Sequence, residues 1–174
     1  MHMSANRTLT FLITDLCDST ELMQKLGERA ADDLRQTHFG LLRDAIREHE
    51  GKEVKNLGDG LMAVFESSAD ATACAVAMQR ALYRHNEKHP QHPLKVRVGI
   101  DVGEPFRHER DYFGPPVATA EVLCNRARGG EILAHVRVRA MVGPEGRDGY
   151  GAARQVSGKQ GAQPLEAVEV IWQG

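Results

Sequence analysis

Three features that would identify a partner or a compartment are missing from this sequence of 174 residues. Basic residues are not in excess, since the formal net charge is −2, and this disfavours a nucleic-acid partner. The sequence has no run of about 18 apolar residues, the length that a membrane-spanning helix needs. No signal peptide is recognised, and the three cysteines, Cys17, Cys74 and Cys124, lack metal-binding or disulfide spacing. We therefore expect a cytoplasmic protein with neither nucleic-acid nor membrane partners.

The length and the hydrophobic content of 41% predict one domain with a substantial core. We expect this domain to cover residues 7–174. Residues 1–6 are expected to be a disordered N-terminal extension, in which Met1, His2 and Met3 remain from expression.

A Gly-Asp-Gly sequence separates two β-rich runs, 53–57 and 61–65. Because glycine tolerates positive φ angles, the pattern predicts a hairpin with the Asp59 carboxylate at its tip. Taken alone, the stretch favours the interpretation that Asp59 is only a turn residue, because Asp-Gly turns are common.

A second acid, Asp15, stands near the end of the strand-like run 9–16, and a helical pattern follows it. Ser19 or Thr20 is predicted to cap that helix. Its free N–H groups could donate hydrogen bonds to a phosphate. Asp15 and Asp59 together predict a two-metal site, since Mg²⁺ favours one or two carboxylates completed by substrate phosphates.

The order of elements in the first hundred residues, β-α-β-β-α-β, predicts a ferredoxin-like α+β fold with helices on one face of the sheet. His38 falls on the apolar side of a helix that ends at Gly51, and we expect it to be a packed or interface residue. The other predicted elements are a helix over 69–83 capped by Ser67-Ser68, a loop over 85–93, a strand over 95–102, a helix over 117–127, a strand over 131–134, a helix over 135–141, a glycine-rich turn over 143–151 and a closing hairpin over 155–172.

Four sequence blocks resemble the class III nucleotide cyclase domain, that of the adenylyl and guanylyl cyclases, in order and spacing. They are Thr10–Thr20, Lys55–Phe65, Val96–Glu104 and Asp111–Val117, and the ending Pro164–Trp172 is similar to the family's last strand. The resemblance implies that the ferredoxin-like core is extended to the cyclase homology domain, with an antiparallel-rich sheet and helices packed on it.

The resemblance also implies a mechanism. Asp15 and Asp59 would bind two Mg²⁺ or Mn²⁺ ions, with the Leu16 carbonyl as a further ligand. The turn after β-strand 9–16, including Cys17, Ser19 and Thr20, would hold the triphosphate. One ion would activate the ribose 3′-hydroxyl and the other would stabilise the departing pyrophosphate, giving a cyclic nucleotide.

Base selection is implied by Lys55 and Asp111, which match the purine-selecting pair of adenylyl cyclases. An ammonium and a carboxylate fit N1 and N6 of adenine, whereas guanine reverses both roles, so ATP is favoured over GTP. In the family this pair faces the metal site of a partner chain, which implies a homodimer. Further candidates for contact with the phosphates are either Arg107 or Arg110, and Lys159.

Two departures from the family pattern predict impaired catalysis. Where the family has an asparagine and an arginine on the helix after the Asp111 block, this sequence has Ala118 and Val122. Arg126, one turn further on, is a candidate substitute for the arginine. Asp18 replaces a common glycine in the phosphate-binding turn and is expected to weaken triphosphate binding.

Two functions therefore remain open. The first is an adenylate cyclase of reduced activity that makes cyclic AMP. The second is a catalytically impaired cyclase-homology module that binds nucleotide or pairs with another cyclase chain.

Overall fold

The computed structural model describes residues 7–144 and 149–173. Two predicted segments lie outside the described residues: the N-terminal extension, 1–6, and the middle of the glycine-rich turn, 145–148. None of the helices in the described ranges is long and apolar enough to cross a membrane.

Strands and helices are mixed along the described residues. In chain order the elements are β1 (Leu9–Leu16), α1 (Ser19–Leu26), α2 (Glu28–Glu48), β2 (Lys52–Asn56), β3 (Leu61–Phe65), α3 (Ser68–Lys88), β4 (Val96–Gly103), β5 (Phe106–His108), β6 (Asp111–Phe113), α4 (Pro115–Arg126), β7 (Ile132–His135), α5 (Val136–Val142), β8 (Arg154–Val156) and β9 (Leu165–Glu169).

A seven-stranded sheet with the order β2-β3-β1-β4-β7-β9-β8 forms the centre of the fold. Its neighbouring strands are antiparallel except for the pair β4 and β7. The central pair, β1 and β4, is in register from Leu9 opposite Gly103 to Leu16 opposite Val96. The short strands β5 and β6 form a separate hairpin. This arrangement confirms the predicted α+β fold with an antiparallel-rich sheet.

Helices cover both faces of the sheet. The helices of the first hundred residues, α1, α2 and α3, lie on one face as predicted, and α4, which follows them, covers the other face. On one face Leu12 packs with Leu42 of α2 in the larger core cluster. On the other face Phe11 packs with Ala120 and Cys124 of α4. The physical reason is that β1 carries apolar side chains on both of its sides and that all but one of its residues are buried. Both faces of the sheet therefore need to be covered by other elements.

Helix α3 begins where its sequence predicts but ends later. The Ser67 side chain accepts a hydrogen bond from the Asp70 N–H (3.2 Å), which is the expected cap. The helix continues to Lys88, so the prediction of a loop is wrong for residues 85–88. The Asn86 side chain holds the returning chain by bonding to both the N–H and the carbonyl of Leu94 (2.8 Å each).

Strand β4 and helix α4 approach so closely that only a glycine fits between them. A Cβ atom on Gly99 would lie 2.1 Å from the Ala120 carbonyl oxygen and 2.4 Å from the Cys124 nitrogen. These are backbone atoms of a buried helix, which cannot move aside without disturbing the sheet.

We therefore predict that Gly99→Ala lowers the free energy of unfolding by about 3 kcal/mol, because it overpacks the contact between α4 and the sheet. Gly40→Ala is the matched control, since Gly40 is exposed on α2 and a Cβ there meets nothing within 4 Å. It should raise stability by about 0.5–1 kcal/mol. Urea denaturation measures both, and equal midpoints for the two variants would contradict the prediction.

Candidate functional site

Asp15 lies near the end of β1, opposite Arg97 of β4. Its carboxylate forms an ion pair with the Arg97 guanidinium, and the two side chains are 29% and 27% exposed. The pair is therefore partly shielded from solvent, and Arg97 compensates the charge of Asp15. Sequence reasoning missed Arg97, because only the register of the two strands places it beside the acid.

Asp59 lies at the tip of the turn between β2 and β3, as its sequence predicts. The Leu57 N–H donates to the Gly60 carbonyl (2.8 Å), and the Gly58 N–H donates to the Asn56 side chain (2.7 Å). Gly58 has a φ of 94°, which glycine adopts readily. The turn is thus tightly bonded while the Asp59 side chain remains exposed.

The tip of this hairpin is attached directly to the end of β1. The Leu16 N–H donates to the Asp59 carbonyl (2.8 Å). A Cβ on Gly60 would lie only 1.8 Å from the Thr14 carbonyl oxygen, so this approach requires glycine. The two strand ends therefore bring Asp15 and Asp59 to the same edge of the sheet.

The turn after β1 differs from its prediction in one respect. Asp18, with φ 53° and ψ 33°, is the N-cap residue of α1, and its side chain makes no capping bond. Ser19 and Thr20 are the first two helical residues, so the prediction that either caps the helix is wrong. The chain needs a left-handed residue at position 18, where glycine and aspartate are both tolerated. This requirement explains how Asp18 can stand where the family commonly has glycine.

Cys17 is the first residue of this turn, and its backbone attaches the turn to the segment before β4. Its N–H donates to the Lys95 carbonyl (2.8 Å). Burial raises the pKa of the Cys17 thiol, so the side chain is a neutral thiol near pH 7.

A pocket of about 500 Å³ lies between α1, α2 and these two strand ends. Its lining includes Leu16, Ser19, Thr20, His38 and Asp59. The first N–H groups of α1 have no partner within the helix, which favours an anion at this end. The pocket thus joins a candidate metal ligand to a candidate phosphate-binding turn. A larger pocket, of about 750 Å³, lies between α2 and α3 and contains none of the predicted site residues.

The donor set at this edge fits a hard divalent cation. It consists of the carboxylates of Asp15 and Asp59, with the Leu16 carbonyl as a candidate third oxygen. No group of three or more His, Cys, Asp or Glu side chains in ranges 7–144 and 149–173 is arranged for a metal. Mg²⁺ needs only one or two protein carboxylates when substrate phosphates complete its shell.

His38 is a buried polar residue in the wall of this pocket. It is 1% exposed, and neither ring nitrogen has a hydrogen-bond partner among the described residues. Burial lowers the pKa of His38 to about 4, although the carboxylates of Asp59 and Asp15 act in the opposite direction. The imidazole is therefore neutral at pH 7.

Lys55 and Asp111 come together away from this pocket. The Lys55 ammonium donates to the Asp111 carboxylate (2.9 Å) and lies 5.8 Å from the centre of the Phe113 ring. This hydrogen bond from Lys55 holds the pKa of the Asp111 carboxyl below its usual value. The two predicted base-selecting residues are thus adjacent, on β2 and β6.

Arg107 lies on the exposed β5–β6 hairpin. Its Nε donates to the Glu109 carbonyl (3.2 Å), and its guanidinium lies 5.3 Å from the centre of the Tyr112 ring. It does not line the pocket that contains Asp59.

Arg126 is bound to the loop between β8 and β9. Its guanidinium donates to the Ser157 carbonyl (3.0 Å), the Ser157 hydroxyl (3.1 Å) and the Gly158 carbonyl (3.0 Å). Lys159 is the next residue of that loop and is exposed. The contacts of Arg126 therefore end at Gly158, the residue before Lys159.

Comparison with known sequences places this site in context. The family described as the adenylate and guanylate cyclase catalytic domain matches residues 1–142. Serine/threonine-protein kinase pkn2 of Myxococcus xanthus is 32% identical over 127 residues, which are 72% of this chain and 15% of that protein. Putative adenylate cyclase 3 of Rhizobium meliloti is 28% identical over 116 residues, which are 66% of this chain and 20% of that protein. The chain thus spans a fifth or less of these relatives.

The fold is also found among solved structures. An adenylate/guanylate cyclase/hydrolase from Silicibacter pomeroyi has a TM-score of 0.81 at 23% identity. The match covers 96% of this chain and 98% of that one. At this sequence identity, the similarity shows that the two chains share a fold.

The low pKa of His38 predicts acid sensitivity. The unfolded chain binds a proton at this residue below about pH 6.5, whereas the folded chain excludes it until about pH 4. The free energy of unfolding should therefore fall by up to about 3 kcal/mol as the pH falls from 6.5 to 4. His38→Leu should show a shallower fall. Urea titrations between pH 7 and pH 4.5 measure this difference, and equal slopes for the two proteins would contradict it.

Proposed function

Because the chain belongs to the adenylate and guanylate cyclase catalytic-domain family, we propose that it converts ATP to 3′,5′-cyclic AMP and pyrophosphate. One observation carries this proposal. The hydrogen bond from the Leu16 N–H to the Asp59 carbonyl brings two carboxylates to one sheet edge, beside the open N-terminus of α1. That edge combines the groups that a triphosphate and divalent cations require.

Asp15, Asp59 and the Leu16 carbonyl would hold two Mg²⁺ or Mn²⁺ ions. When bound, these ions would supply activation of the ribose 3′-hydroxyl and stabilisation of the pyrophosphate leaving group. The chain's own residues prepare the site. Arg97 compensates the charge of Asp15 and restrains its carboxylate, so the carboxylate stays oriented.

The triphosphate would lie against the turn from Cys17 to Thr20. The left-handed conformation of Asp18 starts α1 abruptly, which leaves the first N–H groups of the helix available to phosphate oxygens. The Asp18 side chain makes no capping bond and is free to point away from the phosphates. Lys159 and Arg107 are the proposed cationic contacts, each from an exposed segment.

Adenine would be selected by Lys55 and Asp111. Lys55 would donate to N1, and Asp111 would accept from the N6 amino group, so the pair would exchange its mutual 2.9 Å contact for contacts with the base. Guanine would place a donor against Lys55 and an acceptor against Asp111. Such unpaired polar groups reject the wrong base strongly.

Two copies of the chain are required for a complete site. Lys55 and Asp111 do not line the pocket that contains Asp59, so the base and the triphosphate are best bridged across a homodimer with two equivalent sites. Exposed aromatic residues near the pair support this arrangement. Phe106 is 69% exposed and Phe113 is 49% exposed, and such apolar exposure is typical of an interface.

The first test is the direct detection of product by mass spectrometry. Protein incubated with ATP and Mg²⁺ or Mn²⁺ should form cyclic AMP, and incubation with GTP should form much less cyclic GMP. Asp59→Asn removes a charged metal ligand and should reduce the rate by about 100-fold or more. Asp33→Asn is the control, because Asp33 is exposed on α2 and does not line the pocket. A parent protein that forms no product with either metal would contradict the proposal.

A second candidate function is favoured by the helix α4. Ala118 and Val122 replace the family's asparagine and arginine, and Val122 is only 7% exposed. Arg126, the candidate substitute, already donates to Ser157 and Gly158. The alternative is therefore an impaired module that binds nucleotide or pairs with another chain that carries both missing groups.

Two sets of variants distinguish these functions. If Arg126 replaces the missing arginine, Arg126→Ala should abolish residual cyclic AMP formation, whereas the neighbouring Arg128→Ala should not. Restoring both groups with Ala118→Asn and Val122→Arg should raise the rate by about 10²-fold or more, since each group stabilises transition-state charge. Unchanged turnover in Arg126→Ala would exclude its role. Product from the double variant alone would identify the impaired module.

A further inference from the structure

His38 is a polar group that the proposed mechanism does not use. Its side chain is 1% exposed and has two unpartnered ring nitrogens within the part of the chain that the structure describes. An apolar residue of similar volume would fill the same space without leaving buried polar atoms unsatisfied. Contact with Phe39, whose ring centre is 4.8 Å away, does not require nitrogen atoms. Packing alone therefore does not account for histidine.

The pocket supplies the natural partner. His38 and Asp59 both line it, and the carboxylates that act on His38 electrostatically are those of Asp59 and Asp15. Asp15 already pairs with Arg97. No hydrogen bond among the described residues restrains the Asp59 carboxylate, which extends from an exposed turn.

Resting on the proposed function, we propose that His38 is a positioning residue for Asp59, to whose metal-bound carboxylate the imidazole donates an N–H hydrogen bond. A metal-binding carboxylate is normally held by such a second contact, which fixes its rotamer and limits the entropy lost on binding. His38 is well suited to this role because α2 holds its backbone rigidly. A neutral donor also leaves the negative charge of Asp59 available to the cation.

The test measures by electron paramagnetic resonance the affinity for Mn²⁺ in the presence of 3′-deoxy-ATP, which supplies the phosphates but has no 3′-hydroxyl to react. The thermal midpoint at pH 7 is the second readout. His38→Leu and His38→Phe remove the donor and keep an apolar side chain, and His38→Gln keeps an N–H donor. Without the donor, Mn²⁺ affinity should fall by about 10–100-fold, while the thermal midpoint stays the same or rises. His38→Gln should keep most of the affinity. Asp33→Asn, on the exposed side of α2 and outside the pocket, should bind Mn²⁺ as the parent does.

The outcomes separate this inference from the proposed function. Parent-like Mn²⁺ affinity in a folded His38→Leu or His38→Phe overturns the role of His38 and leaves the metal site intact. Equal weakening in His38→Gln also overturns it, because the donor would then not be the cause. If the parent itself binds no Mn²⁺, or if Asp59→Asn binds it as well as the parent, the proposed metal site is wrong and the role of His38 falls with it.

Discussion

The close approach of the β2–β3 turn to the end of β1 is the constraint on which the rest of the site depends. The Leu16 N–H must reach the Asp59 carbonyl. Position 60 must also be glycine, because a Cβ there would lie 1.8 Å from the Thr14 carbonyl oxygen. Through this contact, two acids that are 44 positions apart in the chain reach one edge of the sheet. Without it, Asp15 and Asp59 would not reach the same edge, on which the proposed metal site depends.

Charge at this edge is balanced by residues from elements that are distant in sequence. Arg97 of β4 pairs with Asp15, and the buried His38 of α2 remains neutral because its burial outweighs the two nearby carboxylates. The same principle recurs at the far side of β4, where Arg137 donates two hydrogen bonds to the fully buried Asp101 (2.7 and 2.6 Å). A buried carboxylate needs such a partner, because an unpaired buried charge is strongly destabilising.

The catalytic weakness implied by the sequence has a structural counterpart at α4. This helix covers the second face of the sheet, and Gly99 lets it approach the β4 backbone closely. Its residues are therefore fixed in position, and Val122 is buried where the family has an arginine. Arg126 is held by the loop of Ser157 and Gly158, so any contribution to catalysis would require it to exchange these bonds.

Local sequence determined the elements and the identity of the candidate chemistry. The strand-like run 9–16, the Gly-Asp-Gly turn and the Ser67 cap depend on residues within a few positions of one another, and all three predictions are confirmed. The four motif blocks likewise indicated the family. The tertiary structure alone decided what depends on long-range pairing: the second face covered by α4, the partner of Asp15, the position of His38 in the pocket that Asp59 also lines, and the contact of Lys55 with Asp111. These features arise from strand register and helix docking between distant segments, and no local pattern specifies which side chains such packing brings into contact.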